Sequence, residues 1–433
     1  LIVQTKPLRT IKMPKKLKIL IVADSASSRM GGEAILPLHY FRFLIHRKEE
    51  VWLVTHQRVR RELQEILPKE DLERVHFISN TKLQLFCHRL GNLLPQRVAG
   101  VTFYWFVSIS TGIRQRRLVK QLVEKYKIDV VHQPAPVSPK MVSFLYNVEA
   151  PVIIGPMNGG MQFPPAFSYI TSHLDKISIQ LGRFFSEVIN HIFPGKKKAS
   201  LLLVANERTR EALPKCACKN VLELVENGVD LTLWDNISHP TTPSTSAVYP
   251  IFTFLGFLRD WKGVDLLLQA TSLALKHEVF YLRIVGTGPE RKKLERMTEE
   301  LRIVDHVKFL GFIPQEQCAP LLQESRALIL PSLYECGGAV VLEAMAVGTP
   351  VIATNWGGPA DYITDSCGIL VAPNSKDDFI QQLAEAIVCL ARDQQLAKTM
   401  GQQGRKRVEA LFSWQAKIDR IMEIYENVIE LHR

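Results

Sequence analysis

Twelve short apolar runs, separated by helical and turn-forming stretches, constrain the fold of this chain more than any other feature. Six lie in the first half: Lys18–Ala23, Val51–Val54, Val75–Ile78, Asp129–Val131, Val152–Ile154 and Leu201–Val204. Six more follow: Ile251–Leu255, Tyr281–Val285, Val307–Leu310, Ala327–Leu330, Val351–Ala353 and Gly368–Val371. A continuous apolar run of this kind marks a strand buried on both faces, the condition of a parallel sheet covered by helices. Helical stretches such as Arg114–Tyr126 lie between most of the runs. The alternation predicts α/β architecture with doubly wound sheets.

At 433 residues the chain is too long for one ordinary core. The pattern breaks once, at the polar segment Asn236–Ala247, rich in Pro, Ser and Thr, and then restarts. We therefore divide the chain into a Rossmann-like domain over 1–235, a linker over 236–248 and a second Rossmann-like domain over 249–410. A final helix over 411–433 is expected to pack back towards the first domain. Two such sheets face each other across a cleft at the carboxyl ends of their strands, where open α/β sheets take ligands.

The apolar fraction of 46% and the charged fraction of 22% are those of a soluble globular protein. No apolar run reaches the roughly 18 residues that span a bilayer. The longest, Val98–Ile113, is interrupted by hydroxyl residues and reads as a buried helix or a wall of the acceptor pocket. Leu1–Lys6 has no signal-peptide pattern, and Met13 is a candidate natural start. Seven scattered cysteines, with Cys216-Ala-Cys218 the nearest pair, lack zinc-like spacing and suit a reduced, cytoplasmic protein without a metal site. The net charge of +11 is uneven: residues 1–240 hold 34 Lys and Arg against 20 Asp and Glu, whereas residues 241–433 hold 20 against 23. The basic first half points to an anionic partner, such as a membrane surface, a phosphorylated lipid or an acidic saccharide, or to a solvated basic surface. Nucleic acid is disfavoured, because no aromatic–basic interleaving accompanies the charge.

The richest motif is Glu335-Cys-Gly-Gly-Ala-Val-Val-Leu-Glu343, after the strand Ala327–Leu330 and ahead of a helix that stops at Gly348-Thr-Pro350. It offers backbone N–H groups and a positive helix end to an anion, and two carboxylates to sugar hydroxyls. A plain turn with Glu343 complementing the helix dipole is the simpler reading of that motif alone. Arg259 and Lys262 stand at the mouth of a turn leading into the helix Val264–Lys276, where a fork of donors and a point charge suit a diphosphate. Two solvated loop cations would look the same. Gly286, in Val285-Gly-Thr-Gly-Pro-Glu290, marks a tight strand-to-helix turn lining a nucleotide cleft; as a dinucleotide fingerprint it lacks its third glycine. Phe312, in Leu310-Gly-Phe-Ile-Pro314, belongs to a turn whose backbone could read a base edge.

In the first half, Gly31 and Gly32 in Arg29-Met-Gly-Gly-Glu33 let backbone approach a phosphate after the first strand. His132 ends the strand Asp129–Val131, either facing the cleft or buried as a core histidine. Gly155–Gly160 reads as a further cleft-facing loop, and Asn227-Gly-Val-Asp230 as a structural turn near the domain boundary.

Taken in order, these elements resemble the retaining family-4 glycosyltransferases of the GT-B fold. The likeness runs from the Gly-Gly loop and the post-strand His through Asn-Gly-Val-Asp, Arg-x-x-Lys-Gly, Val-Gly-x-Gly-Pro and Phe-Leu-Gly-Phe to Glu-x7-Glu and Pro-Val-Ile-Ala-Thr-x-x-Gly-Gly. It is most specific over residues 225–372. It implies that Arg259 and Lys262 grip the donor diphosphate and that Glu343 binds the ribose. Glu335 with the backbone of Gly337, Gly338 and Ala339 would hold sugar and phosphate; Gly31 and Gly32 would complete the diphosphate site. His132, Glu335, Arg259 and Lys262 would form the catalytic set, with His132 at the reacting face. The implied activity moves a hexosyl group from a nucleotide-diphosphate sugar to a saccharide or lipid-linked acceptor, with retention and without metal or other cofactor. Same-face attack is implied, with a covalent Glu335 intermediate as the alternative. Peripheral contact with the inner face of an anionic membrane fits such an acceptor.

The chain departs from the family where Cys336-Gly337 stands for the usual Gly-Phe, and where Asp361 stands for a common Glu. Three other readings compete: a non-transferring relative such as a UDP-N-acetylglucosamine 2-epimerase, a catalytically silent sugar-nucleotide-binding subunit, and a Rossmann dehydrogenase. Arg-x-x-Lys-Gly with Glu-x7-Glu favours the transferase over the first, the presence of Arg259, Lys262, Glu335 and Glu343 favours it over the second, and the lack of a full glycine fingerprint with its downstream acid disfavours the third.

Overall fold

The computed structural model describes residues 16–91, 105–170, 173–235 and 249–432. The linker 236–248, the start at 1–15 (Met13 included) and the 98–104 part of the long apolar run lie outside the described residues. Seven strands form the first sheet: β1 (Lys18–Val22), β2 (Glu50–His56), β3 (Val75–Ile78), β4 (Val130–Gln133), β5 (Val152–Met157), β6 (Leu201–Val204) and β7 (Val221–Glu223). Six form the second: β8 (Ile251–Leu255), β9 (Tyr281–Val285), β10 (Val307–Gly311), β11 (Ala327–Leu330), β12 (Val351–Thr354) and β13 (Gly368–Val371). Their orders are β3-β2-β1-β4-β5-β6-β7 and β10-β9-β8-β11-β12-β13, parallel throughout.

Each order reverses direction once, beside β1 and beside β8, so each sheet has a switch point at the carboxyl end of its first strand. Six helices position the site: α1 (Gly32–His46), α2 (Trp105–Tyr126), α3 (Val264–Ala274), α4 (Gln315–Gln323), α5 (Ala339–Ala346) and α6 (Trp414–His432). The apolar runs are strands because both their faces are covered: β4, β6, β11 and β12 are buried at every residue.

The last helix joins the two halves. Trp414, Ile418, Ile421 and Tyr425 of α6 are buried in one core cluster with Ile19 and Ile21 of β1 and with Tyr40 and Phe41 of α1. Val229 N–H donates to Phe412 O at 2.8 Å, and Trp414 N–H to Val229 O at 3.0 Å, which ties the outgoing and returning strands of chain together. Among the described residues no helix is long and apolar enough to cross a membrane.

Candidate functional site

The loops beyond β8, β9, β11 and β12 converge at the carboxyl end of the second sheet, and glycines set how closely they approach. Gly286 has φ +134°, and a Cβ there would lie 1.9 Å from Gly256 O. Its N–H donates to Gly311 O at 2.7 Å, so this turn stitches three loops together. Gly263, with φ +66°, ends the short turn Asp260–Lys262 and starts α3, with Pro331 O only 2.3 Å from where a Cβ would stand. That approach brings Lys262 to Glu335: ammonium and carboxylate form an ion pair, each largely shielded from solvent. Arg259 stays exposed, its guanidinium 4.9 Å from the Trp261 ring centroid and 5.3 Å from that of Phe257. A cation held over aromatic faces is kept at the mouth of the turn.

Glu335 also anchors its loop through its carbonyl, which accepts from Gly358 N–H at 2.8 Å. Gly338 precedes α5 at φ +75°, with Glu335 Cγ 3.1 Å from its absent Cβ, so carboxylate and helix start share one surface. Glu343 lies in the second turn of α5 and accepts from Gln315 Nε2 at 2.7 Å. Removal from water pushes its carboxyl up to about 7, opposed by that hydrogen bond. Lys262, Glu335, Gly337, Gly338, Ala339 and Glu343 are thus drawn into one loop–helix unit. Phe312 projects from the neighbouring loop, 75% exposed. Across the molecule, Gly31 (φ +92°) and Gly32 precede and begin α1 with open space where side chains would point, which leaves their backbone approachable.

His132 requires a correction. It does not face the cleft: it is fully buried, aligned between Ile21 and Ile153 and enclosed by Tyr40 and Tyr425. Nε2 lies 2.6 Å from Gly155 O and Nδ1 2.6 Å from Tyr425 Oη. A carbonyl only accepts, so Nε2 carries the proton and Nδ1 accepts from the tyrosine hydroxyl. Burial lowers its pKa to about 4. The ring is neutral, fully bonded and out of reach of an acceptor. The core-histidine reading holds.

A second set of groups ties the two halves together around Glu226, which no motif announced. Asn158, just after β5, donates to Glu226 Oε1 at 2.6 Å and to Cys336 O at 2.8 Å, bridging the first domain to the Glu335 loop. Asn227 donates to Glu226 at 3.0 Å and to Tyr362 Oη at 3.1 Å. A Cβ at Gly337 would meet Asn227 Nδ2 at 2.4 Å and Glu226 Oε1 at 2.5 Å. The departure at Cys336-Gly337 therefore has a physical reason: glycine makes room for this bridge. Burial pushes the Cys336 thiol up to about 11, so it stays protonated at neutral pH and is no nucleophile. Asp361, the other departure, accepts from Asn206 at 2.8 Å and Arg208 at 3.0 Å, again across the domains. Trp356 Nε1 donates to Gln162 O at 2.8 Å. Beneath the bridge, buried Lys417 donates to Val225 O and Asn227 O at 2.6 Å each, and burial lowers its pKa to about 7. Among the described residues no cluster of His, Cys, Asp and Glu could hold a metal ion.

Comparisons with known proteins agree with this architecture. Residues 244–407 match the family model for glycosyl transferases group 1. An uncharacterised glycosyltransferase of Methanocaldococcus jannaschii is 31% identical over 181 residues, 42% of this chain and 49% of that protein. The D-inositol 3-phosphate glycosyltransferase of Corynebacterium jeikeium is 33% identical over 187 residues, 41% of this chain and 43% of its own. The chain thus spans about half the length of the curated relatives it matches. The Anabaena HepE structure in complex with UDP superposes with a TM-score of 0.64 over 95% of this chain and 100% of that one, at 18% identity. The fold is GT-B.

Proposed function

We propose that the protein is a glycosyltransferase that moves a hexosyl group from a nucleotide-diphosphate sugar to a saccharide or lipid-linked acceptor, with retention and without a metal. One observation carries the reading: Lys262, Glu335, Glu343 and the start of α5 occupy one loop–helix unit at the carboxyl end of the second sheet. The family match over 244–407 and the UDP complex of a protein of the same fold support it.

In this reading Glu343 accepts hydrogen bonds from the ribose hydroxyls. Arg259, Lys262 and the first N–H groups of α5 offset the diphosphate charge, which builds up as the sugar–phosphate bond breaks. The first-domain glycines at 31 and 32 approach the diphosphate from the other side. Glu335, held by Lys262, orients the sugar. Because His132 is sealed in the core, the acceptor proton goes to the departing diphosphate oxygen. The acceptor oxygen bonds to the anomeric carbon on the face from which that oxygen leaves, which retains the configuration. The basic first half supports peripheral contact with an anionic membrane. Salt-sensitive co-sedimentation with anionic vesicles is its signature, and its absence removes that part of the reading.

The deciding experiment screens UDP-, GDP- and ADP-sugars for nucleotide release, with saccharide and lipid acceptors added in turn and a chelator present. Acceptor-dependent release, with an α-linked product from an α-linked donor by NMR, is the expected result. Release of a free 2-epimer without acceptor would replace the transferase by an epimerase. Loss of turnover on chelation would end the metal-free mechanism.

A further inference from the structure

The first domain has its own cavity, of about 300 Å³, at the carboxyl ends of β1 and β4 and against α2. Ser108 and Gly112 of α2 form part of its wall, as does Gln115, one turn further along the helix. Gln115 is only 6% exposed, and its amide nitrogen has no hydrogen-bond partner. A buried amide donor left unpaired costs free energy on the order of 1–3 kcal/mol, so a group that fills the cavity and accepts from it gains what the empty pocket forgoes. Beside it, Gln133 Oε1 accepts from Ser143 Oγ at 2.6 Å, which leaves the amide nitrogen as a spare donor.

Charge decides what kind of ligand fits. Arg58, the cation among the cavity's described lining residues, is paired with Asp24 at 3.1 Å and also donates to Ser25 Oγ at 2.7 Å. Glu33, at the start of α1, adds a second carboxylate, which accepts from Val137 N–H at 3.0 Å. A phosphate here would meet two carboxylates and one cation already neutralised. A hydroxyl suits the amides whichever way each is turned, because it both donates and accepts.

We propose that this cavity is the acceptor subsite, that it takes a neutral polyhydroxylated sugar end, and that Gln115 donates to one of its hydroxyls. The proposal rests on the transferase reading and sharpens it.

The test measures binding of sugars to the full chain loaded with UDP, GDP or ADP, by isothermal titration. The probes are methyl hexosides, maltose and myo-inositol, each compared with a phosphorylated counterpart. The expected result is binding of a neutral probe in preference to its phosphorylated form. Gln115→Met and Gln115→Glu should weaken that binding about tenfold while nucleotide affinity is kept, which also shows that the variants are folded. Tighter binding of the phosphorylated probes, no binding of any neutral probe, or full affinity in both variants would overturn the proposal. Failure of every nucleotide to bind the native chain would instead overturn the transferase reading.

Discussion

Glu343 carries the sharpest prediction at the scale of single residues. Its carboxyl is raised from 4.5 to about 7 by burial, so at neutral pH it is half protonated. A ribose that donates two hydroxyls favours the ionised form. Nucleotide binding should therefore release a proton and tighten about tenfold between pH 6 and pH 8, the range over which the carboxyl passes from mostly neutral to mostly charged. Glu343→Gln should bind more weakly at pH 8 and show a flat profile, as read by titration calorimetry in two buffers of different ionisation enthalpy. A profile unchanged by the substitution would remove Glu343 from the ribose. The stability contribution has the opposite sense. The group's folded pKa is the higher one, so its stabilising effect is complete below pH 4.5 and is lost as pH rises through about 7.

At the scale of elements, the strands were legible and the direction of one side chain was not. Val75–Ile78, Leu201–Val204, Ile251–Leu255, Tyr281–Val285, Ala327–Leu330 and Gly368–Val371 are strands over the same residues that the apolar runs mark. The run read as Asp129–Val131 instead continues to Gln133, and that extension reassigns His132. Side chains alternate along a strand, so His132 shares Val130's face and packs under α1 and α6, while Val131 and Gln133 face the other way. A strand apolar on both faces carries no parity signal in its sequence, so the side facing the cleft was unreadable. β7 was missed for a related reason: two half-buried residues and the exposed Glu223 at a sheet edge make no apolar run. The Glu335 loop was legible because glycines, acids and a helix start fall together. Glu226 and Gln115 were invisible, since each is a single polar residue whose significance depends on distant chain: Asn158, 68 residues away, for Glu226, and the cavity walls from other elements for Gln115. The loop yields a prediction of its own. Gly337→Ala puts a methyl group 2.4 Å from Asn227 Nδ2 and should cost about 1–3 kcal/mol, seen as a lowered Tm, with a raised donor KM. An unshifted Tm would mean that Asn227 and Glu226 yield freely and do not define the loop.

At the scale of the molecule, the two sheets are joined by a covalent crossing, by a polar seam and by first-domain apolar side chains, Phe167, Val229 and Trp234, buried in the second domain's core cluster. The crossing is robust: α6 supplies a large part of the first domain's core, including the tyrosine that satisfies His132. The seam includes Asn158 to Cys336 O, Asn206 and Arg208 to Asp361, Asn227 to Tyr362 Oη, and Trp356 to Gln162. Polar contacts between domains are individually weak in net terms, about 1 kcal/mol each, so they can hold one arrangement without locking it. The proposed chemistry needs both properties, because diphosphate contacts come from Gly31–Gly32 on one domain and Lys262 on the other, and products must leave. Breaking the seam should therefore shift the domains apart without unfolding either. We expect the double variant Asn158→Ala, Arg208→Ala to show a larger radius of gyration by small-angle scattering, and donor KM raised several-fold with Tm little changed. If its scattering profile matches that of the native protein, the arrangement is set by the crossing and by the apolar packing of Phe167 and Trp234, and the seam's carboxylates and amides must be explained by ligand contacts rather than by domain closure.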